Sequence, residues 1–331
     1  MNVLVTGGAG YIGSVVVDTL VKSGHTVVVY DNLSKGHRAA VSREAQLVVG
    51  DIGDRAALAT VLQNGKFDGV MHFAASIEAG ESMLVPEKFF RNNTANTLTL
   101  LELVLEHHVP RFVFSSTAAV FGNPERTPIE EFDALQPTNA YGESKLLVER
   151  MLEWFHRIHG LRYASLRYFN ASGATDTLGE DHHPESHLIP IVLQAAAGKR
   201  VSIAIYGTDY PTPDGTCVRD YIHVSDLAAA HLLAFERLGE DEQPERLLYN
   251  LGSGRGFSVR EVIAASEKVT GKKISVKESP RRPGDPATLV ASSQKIQKEL
   301  GWQPKYADLA EIIQSAWRWC SAHPEGYREE R

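Results

Sequence analysis

Tyr141 and Lys145 lie four residues apart in a segment with helical periodicity, and they are the residues that most clearly suggest chemistry. Residues at this spacing share one face of a helix, so both side chains can point into one cleft. A tyrosine with its ordinary pKa of about 10 becomes a base at neutral pH only if its anion is stabilised by about 4 kcal/mol. A neighbouring ammonium and a cationic cofactor ring could supply this in a partly desolvated cleft. The pair therefore predicts proton transfer with an alcohol, assisted by the hydroxyl of Thr117.

A glycine-rich turn near the N-terminus strengthens this interpretation. Gly7, Gly10 and Gly13 follow a predicted strand and lead into a helix. Glycines permit the tight turn and let backbone N–H groups approach a pyrophosphate at the positive end of the helix. The next strand ends in Asp31, where a carboxylate reaches ribose hydroxyls and repels a 2′-phosphate, so NAD is predicted rather than NADP. Without this fingerprint, a core tyrosine and a surface lysine would explain the helical pair more simply.

These residues require a parallel sheet to position them, and the first half of the chain alternates β-branched runs with amphipathic segments as βαβ units do. The predicted strands are Val3 to Thr6, Thr26 to Tyr30, Gln46 to Gly50, Gly69 to Ala74, Arg111 to Ser115 and Arg162 to Arg167. The predicted helices are Ile12 to Lys22, Pro86 to His107 and Tyr141 to His159. We predict an α/β fold with a Rossmann-type doubly wound parallel sheet that binds NAD, over residues 1–170.

After about residue 170 the composition changes, and loops rich in Gly and Pro occupy residues 173–184 and 207–216. Further helices are predicted at Leu188 to Ala197, Val224 to Arg237, Ser258 to Val269 and Ser293 to Leu300, with helical periodicity continuing from Trp302 through Trp319. We predict a smaller C-terminal α/β substrate domain over residues 171–331, with part of the chain crossing back to the first domain.

Composition narrows the range of partners. The net charge of −7 provides no basic field for nucleic acid or an anionic membrane. Two cysteines are too few for a disulfide framework, which favours the cytoplasm. The N-terminus has no signal-peptide pattern, and an apolar run long enough to span a membrane is lacking. We expect a cytoplasmic protein with a small-molecule substrate.

His182, His183 and His187 are the candidates for a metal site. Two are adjacent in a proline-containing loop, and the sequence offers no cysteine or regularly spaced carboxylate to accompany them. A solvated insertion is the simpler interpretation. The predicted chemistry requires no metal, so we expect none.

Together these motifs resemble the extended short-chain dehydrogenase/reductase family, and within it the UDP-hexose 4-epimerases. The resemblance covers essentially the whole chain and is carried by Gly7 to Gly13, Asp31, Asp51, Gly80 to Ser82, Asn92 and Asn93, Ser115 to Thr117, Tyr141, Lys145, Leu166 to Asn170, Tyr206 to Tyr210, Val218 to Val224, Arg281 to Asp285 and His323 to Tyr327. It implies reversible C4 epimerisation of UDP-glucose and UDP-galactose by transient hydride transfer to tightly bound NAD through a 4-keto intermediate. It also implies a homodimer.

The resemblance and the motifs together assign residues to three roles. The catalytic residues are Thr117, Tyr141 and Lys145. The NAD contacts are Gly7, Gly10, Tyr11, Ile12, Gly13, Asp31, Asn32, Asp51, Ile52, Phe73, Ala74, Ala75, Asn93, Ser115, Tyr141, Lys145 and Tyr168. The UDP-sugar contacts are Ser116, Thr117, Asn170, His187, Leu188, Ala204, Tyr206, Arg219, Arg282, Asp285 and Leu289. Two guanidinium groups can neutralise a diphosphate, although Arg219 could equally be paired with Asp220.

Some positions depart from the family pattern. Ile77 stands where many relatives carry a lysine, and His187 where a substrate contact is often Asn. Leu289 aligns with a gate residue at which a bulky Tyr is associated with exclusion of N-acetylated sugars, so the pocket could also admit UDP-N-acetylhexosamines. The sequence leaves the sugar preference open.

Other functions are compatible with the same motifs. A UDP-N-acetylglucosamine or UDP-glucuronate 4-epimerase, or a decarboxylase, would use the same scaffold, whereas a 4,6-dehydratase needs an Asp-Glu pair where this chain has Ala118 and Ala119. The non-enzyme alternative is an NAD-sensing regulator. The intact set of Thr117, Tyr141 and Lys145 argues against a sensor, which has no use for a basic tyrosine.

Overall fold

The computed structural model describes residues 1–240, 246–282 and 284–328. Its strands are β1 (Asn2–Thr6), β2 (Thr26–Asp31), β3 (Gln46–Val49), β4 (Gly69–His72), β5 (Arg111–Thr117), β6 (Arg162–Tyr168), β7 (Asn170–Ser172), β8 (Ile203–Tyr206), β9 (Val218–His223), β10 (Arg246–Leu251), β11 (Gly256–Ser258), β12 (Val276–Ser279) and β13 (Thr288–Leu289). Its helices are α1 (Tyr11–Lys22), α2 (Arg55–Gly65), α3 (Ala79–Ser82), α4 (Pro86–Phe89), α5 (Asn96–Glu106), α6 (Ala140–His159), α7 (Leu188–Ala196), α8 (Val224–Arg237), α9 (Val259–Thr270), α10 (Gln294–Leu300) and α11 (Leu309–Ala322).

The central sheet has seven parallel strands in the order β10-β6-β5-β4-β1-β2-β3. Helices cover both faces, so strand β1 is fully buried at Val3, Leu4 and Val5. The strand order reverses between β1 and β4, and open parallel sheets bind ligands beyond the carboxyl ends of the strands at such a point. The prediction of a doubly wound Rossmann-type sheet is confirmed.

The seventh strand comes from the second half of the chain. β10 pairs in parallel with β6, with Tyr249 opposite Leu166. Helix α8, which precedes β10 in sequence, packs against α1 on the same sheet. The six predicted strands are all present, but this one was not predicted, although its alternation of buried Leu247, Tyr249 and Leu251 is typical of a covered strand.

One predicted helix is divided in the structure. The span from Pro86 to His107 contains α4, a π-helical turn at Phe90–Ala95 and then α5. A π turn widens the helix and rotates the side chains that follow, and such turns are frequent at functional sites. Here the turn directs Asn92 towards the cleft and buries Asn93.

The second part of the chain builds two smaller sheets. Strand β9 pairs with β7, β11 and β13, and β8 pairs with β12. Because β7 follows β6 directly, this sheet starts beside the carboxyl ends of the large sheet. The helices predicted here are present, but the periodicity after Trp302 becomes helical only at Leu309–Ala322. Across the described ranges, we find no helix of the length and apolar character that membrane crossing demands.

Candidate active site

A cleft of about 600 Å³ lies at the carboxyl ends of the large sheet and extends to the smaller sheets. Most of the predicted site residues line it, namely Gly7, Gly10, Tyr11, Ile12, Gly13, Asp31, Asn32, Ile52, Phe73, Ala74, Ala75, Ser115, Thr117, Tyr141, Lys145, Tyr168, Asn170, His187, Leu188, Ala204, Tyr206, Arg219, Arg282 and Asp285. Residues far apart in sequence are thus brought together along one continuous wall.

The glycine turn at one end of the cleft is tightly packed. Gly7 has a φ of +76°, and a side chain there would clash with the backbone of Ala74, two residues beyond the end of β4. A side chain at Gly13 would clash with the carbonyl of Gly7. Helix α1 begins directly after Gly10, which caps it without a side-chain hydrogen bond. The N–H groups of the first turn therefore remain available for an anion such as a pyrophosphate.

Asp31 lies at the end of β2 and faces this turn. Its Oδ2 accepts a hydrogen bond from the Ala9 N–H at 3.0 Å, and its Oδ1 accepts one from the Leu33 N–H at 2.8 Å. Burial raises the pKa of this carboxyl, although the two hydrogen bonds act in the opposite direction. The carboxylate is consequently fixed in the position expected for a ribose contact.

Tyr141, Lys145 and Thr117 meet where the end of β5 faces the first turns of α6. The hydroxyl of Tyr141 is hydrogen-bonded to Thr117. The Lys145 ammonium donates to the Ser115 carbonyl oxygen at 2.9 Å and lies 4.9 Å from the centre of the Phe114 ring. The predicted catalytic residues thus share one region of the cleft.

Burial shifts the pKa values of both Lys145 and Tyr141. Burial lowers the pKa of Lys145 to about 7. Burial also raises the pKa of Tyr141, an effect that the Thr117 hydrogen bond opposes and the nearby Glu78 carboxylate reinforces. The expectation that the Lys145 ammonium and a cationic cofactor ring together stabilise the tyrosine anion stays a prediction, because these pKa directions include the protein's own groups only.

Charged residues cluster in the second half of the cleft. Asp285 pairs with two arginines, through Oδ1 to Nη2 of Arg219 at 3.4 Å and through Oδ2 to Nε of Arg282 at 3.3 Å. The Arg282 guanidinium lies 4.5 Å from the centre of the Tyr206 ring. The two guanidinium groups are therefore close enough to bind one diphosphate together, with an aromatic ring beside them.

The alternative pairing of Arg219 with Asp220 is not found. Asp220 is fully buried, and its carboxylate accepts hydrogen bonds from the N–H groups of Ser253 at 2.7 Å, Gly254 at 3.0 Å and Ala291 at 3.1 Å. Adjacent residues of a strand point to opposite faces, which separates the two side chains. Asp220 instead connects the loop after β10 to the smaller sheet.

The same alternation removes Ser116 from the cleft. Ser115 and Thr117 line the cleft, while Ser116 is fully buried and its Oγ donates to Oε1 of Glu149 at 2.5 Å. Glu149 also pairs with Arg167 at 2.6 Å inside the protein. The structure therefore gives Ser116 an internal partner and no place on the predicted substrate surface.

Asn93 also has internal partners. Its Nδ2 donates to the Ser76 carbonyl oxygen at 2.9 Å and to Oγ of Ser144 at 3.1 Å, and its Oδ1 accepts from the Ser76 N–H at 2.8 Å. It ties the loop after β4 to α6, and among the described residues its neighbour Asn92 lines the cleft instead.

Asp51 and Leu289 complete the set of predicted residues that are not part of the lining in the described chain. Oδ2 of Asp51 accepts from Nδ2 of Asn32 at 2.6 Å at the exposed rim. Leu289 is paired with Arg219 in the sheet, and its side chain packs against the apolar cluster that includes Phe169.

Several lining residues were not predicted. Lys35 pairs with Oε1 of Glu78 at 3.0 Å, and both line the cleft with Ile77. A lysine is thus present on this wall although position 77 itself is isoleucine. The signal for Lys35 was its place shortly after Asp31, in the loop that follows β2. Glu180 and His182 also line the cleft, and they reach it through a long loop whose path the sequence does not reveal.

A family model for the NAD dependent epimerase/dehydratase family matches residues 3–252, and the chain belongs to this family. The chain is 52% identical to the UDP-glucose 4-epimerase of Halalkalibacterium halodurans, over 100% of this chain and 98% of that protein. It resembles the crystal structure of the Brucella ovis UDP-glucose 4-epimerase in complex with NAD, with 47% identity, a TM-score of 0.92 and 96% and 97% of the two chains covered. For the Bifidobacterium longum UDP-glucose 4-epimerase in complex with NAD+ and UDP, the identity is 38%, the TM-score 0.94 and the coverage 99% and 100%.

Proposed function

We infer that this chain is an NAD-dependent UDP-hexose 4-epimerase that interconverts UDP-glucose and UDP-galactose. The observation that supports this most strongly is the meeting of Tyr141, Thr117 and Lys145 in one cleft between the glycine turn and the arginine pair. The relatives named UDP-glucose 4-epimerase match at about half identity over the full length of the chain. Identity at this level over the whole chain supports the same reaction rather than the fold alone.

The residues at the first end of the cleft suit NAD. The first turn of α1 offers N–H groups to the pyrophosphate, and Asp31 offers its carboxylate to the ribose hydroxyls while repelling a 2′-phosphate. When bound, oxidised NAD supplies a hydride acceptor and a cationic ring. The protein's part is to hold these groups in place and to protect them from water.

Tyr141 acts as the acid and base of the reaction. In the protein alone, burial raises the pKa of Tyr141 and favours its protonated form. The phenolate, which the positive charge of the bound oxidised NAD ring would stabilise, would take the proton of the sugar 4-hydroxyl as C4 gives up its hydride. The hydroxyl formed in this way would return the proton when the 4-keto sugar is reduced on its other face. Thr117 holds the same sugar oxygen, and the Lys145 ammonium supports the phenolate.

The arginine pair anchors the substrate. Arg219 and Arg282 bind the diphosphate, which then competes with Asp285 for both guanidinium groups. Tyr206 packs against the uracil ring. Because the diphosphate is the anchor, the sugar can turn about its linkage and present either face of C4, and this rotation inverts the stereochemistry.

N-acetylated UDP-hexoses are accepted as well. The side chain of Leu289 packs against an apolar cluster, and it is smaller than the Tyr that is associated with exclusion of N-acetylated sugars. An equilibrium assay with UDP-N-acetylgalactosamine beside UDP-galactose tests this, and turnover of only the plain sugar would remove the proposal for the acetylated one.

The enzyme works as a cytoplasmic homodimer in galactose metabolism. Exposed apolar side chains on α5 and α6, at Leu98, Trp154 and Ile158, support a helix-pair interface. Sedimentation of the purified protein should give twice the chain mass. A monomer at micromolar concentration would exclude the dimer.

The decisive experiment compares the purified protein with its Tyr141→Phe variant. The wild type should convert UDP-galactose to UDP-glucose and should develop NADH absorbance when it is given UDP-sugar. Loss of general acid and base catalysis lowers rates by about 10²- to 10⁴-fold, and NAD and UDP should still bind. Tyr306→Phe removes the hydroxyl of a tyrosine outside the cleft lining of the described chain and is the control. Wild-type turnover by Tyr141→Phe would refute the assignment of the base.

A further inference from the structure

The loop between β7 and α7 brings two histidines and two glutamates together. One ligand atom from each of Glu180, His182, Glu185 and His187 lies within 4.8 Å of all the others. Nδ1 of His187 is 2.7 Å from Oε1 of Glu180 and 3.1 Å from Oε1 of Glu185, and Nδ1 of His182 is 3.1 Å from Oε1 of Glu180. The expectation of a solvated position holds only for His183, whose side chain is 82% exposed and whose Nδ1 lies 3.5 Å from Oδ1 of Asp181, outside the cluster.

We propose that these four side chains form a binding site for a divalent metal ion, with zinc as its best occupant. Zinc bonds of about 2.0–2.1 Å in a tetrahedron place the ligand atoms about 3.3 Å apart. The separations of 2.7 and 3.1 Å are shorter than this, and all four ligand atoms lie within 4.8 Å of one another, so small side-chain movements would bring them to the metal. Two imidazoles with two carboxylates favour zinc over calcium or magnesium, which prefer oxygen ligands alone.

Charge and burial support a cation at this position. The side chains of Glu180 and Glu185 are only 7% and 2% exposed. Within the described ranges, their ion pairs all go to histidine and none to lysine or arginine. A buried carboxylate is costly unless its charge is compensated. One divalent cation held by two neutral imidazoles balances the charge of both carboxylates.

The backbone around the cluster is fixed by contacts from distant parts of the chain. Nε2 of His37 lies 2.8 Å from the Asp181 carbonyl oxygen, and the Tyr327 N–H donates to Oδ2 of Asp181 at 2.9 Å. Nζ of Lys35 donates to the carbonyl oxygen of His183 at 2.9 Å. A loop held in this way brings its ligands to the metal with little loss of entropy on binding.

Four protein ligands close the coordination sphere, so the metal is structural and leaves no position for substrate. His182, Ser186 and His187 line the cleft, and the ion therefore stiffens this wall. The proposal also reassigns His187 from the predicted substrate contact to a metal ligand. The proposed metal site does not depend on whether the protein catalyses the epimerase reaction.

The test measures metal in the intact protein. Wild-type protein is saturated with zinc, dialysed against zinc-free buffer and analysed by plasma mass spectrometry. We expect about one zinc per chain, and a fall in Tm on addition of a chelator. His182→Gln should lose both the zinc and the chelator effect. His183→Gln changes the same residue type in the same loop outside the cluster, and it should retain both.

Cobalt replacement gives an independent readout. Cobalt(II) in the wild type should show the intense visible bands of four-coordinate geometry, and these should be absent from His182→Gln. If His182→Gln does not fold, Glu185→Gln is the second variant. Folding of each variant is checked by its circular dichroism spectrum and by its retention of bound NAD. Failure of the wild type to keep zinc, equal zinc in His182→Gln and His183→Gln, or a six-coordinate cobalt spectrum would overturn the proposal.

Discussion

Replacement of Lys145 by methionine should make the protein more stable and less active at the same time. The Lys145 side chain is 2% exposed, and burial lowers its pKa from 10.5 to about 7. At about 1.4 kcal/mol per pH unit, the charged side chain costs the folded state on the order of 4–5 kcal/mol. Methionine removes this cost and also removes the hydrogen bond to Ser115, which is worth about 1 kcal/mol. The expected net gain is about 3 kcal/mol at pH 7.

The pH dependence of this stability difference shows whether the buried charge of Lys145 is its cause. Between pH 7 and pH 10 the unfolded wild type holds the Lys145 proton that the folded state has released, so the free energy of unfolding of the wild type rises with pH in this window. The advantage of Lys145→Met should therefore be largest at pH 7 and below and should vanish near pH 10. Urea unfolding followed by tryptophan fluorescence measures the difference at each pH.

The control for this series is Lys22→Met. Lys22 is a surface residue, 73% exposed and paired with Asp18, so its replacement should change the free energy of unfolding by less than about 0.5 kcal/mol at every pH. The reasoning about Lys145 would be refuted by a Lys145→Met protein that is less stable than the wild type at pH 7, or by a difference that stays constant up to pH 10.

Two further substitutions test the two ends of the cleft. Arg282→Ala should weaken UDP binding by about 10- to 100-fold in titration calorimetry and leave bound NAD unchanged, because charge-assisted hydrogen bonds contribute about 1.5–3 kcal/mol. Arg281→Ala is its control, since that guanidinium pairs with Asp209, and an equal loss in both variants would count against a specific role. Gly7→Ala should lose bound NAD, measured by the absorbance ratio at 260 and 280 nm, because its side chain would clash with the backbone of Ala74 just beyond β4. Gly24→Ala has a similar positive φ with open space around it, so NAD loss there as well would assign the effect to backbone strain alone.

The parts of the site that lie at strand ends could be predicted from the sequence. Gly7, Asp31 and Thr117 each terminate a strand or follow one directly, and parallel sheets bring such positions to one edge. The Tyr141 and Lys145 pair depends only on helical spacing. These are local rules, and they hold whatever the rest of the chain does.

Other features depend on contacts that local rules do not reveal. The family resemblance assigns Asn93 to a cofactor contact. In the structure, the π turn at Phe90–Ala95 points Asn93 into the protein and places Asn92 in the cleft instead. Ser116 could have been excluded by strand alternation alone, since its neighbours on both sides face the cleft. The pKa of Tyr141 depends on burial, which a sequence does not give.

The histidine loop shows the same limit more strongly. Glu180 and Glu185 are two residues from His182 and His187 respectively, a spacing that belongs to no familiar metal motif. Their convergence follows from the path of an irregular loop held by His37 and Tyr327 from remote parts of the chain. Long-range contacts of this kind decide whether scattered polar residues become a site.

Strand β10 is far from its sheet neighbour β6 in the sequence, and this has a consequence for the expression of truncated forms of the protein. A fragment that stops near residue 170 would leave the flank of Arg162–Tyr168 without its neighbour, with bare peptide groups beside apolar side chains. Open flanks of this type recruit strands from other molecules. We expect such a truncation to precipitate rather than to serve as a minimal nucleotide-binding module, and the nascent chain would need shielding until residue 251 has left the ribosome.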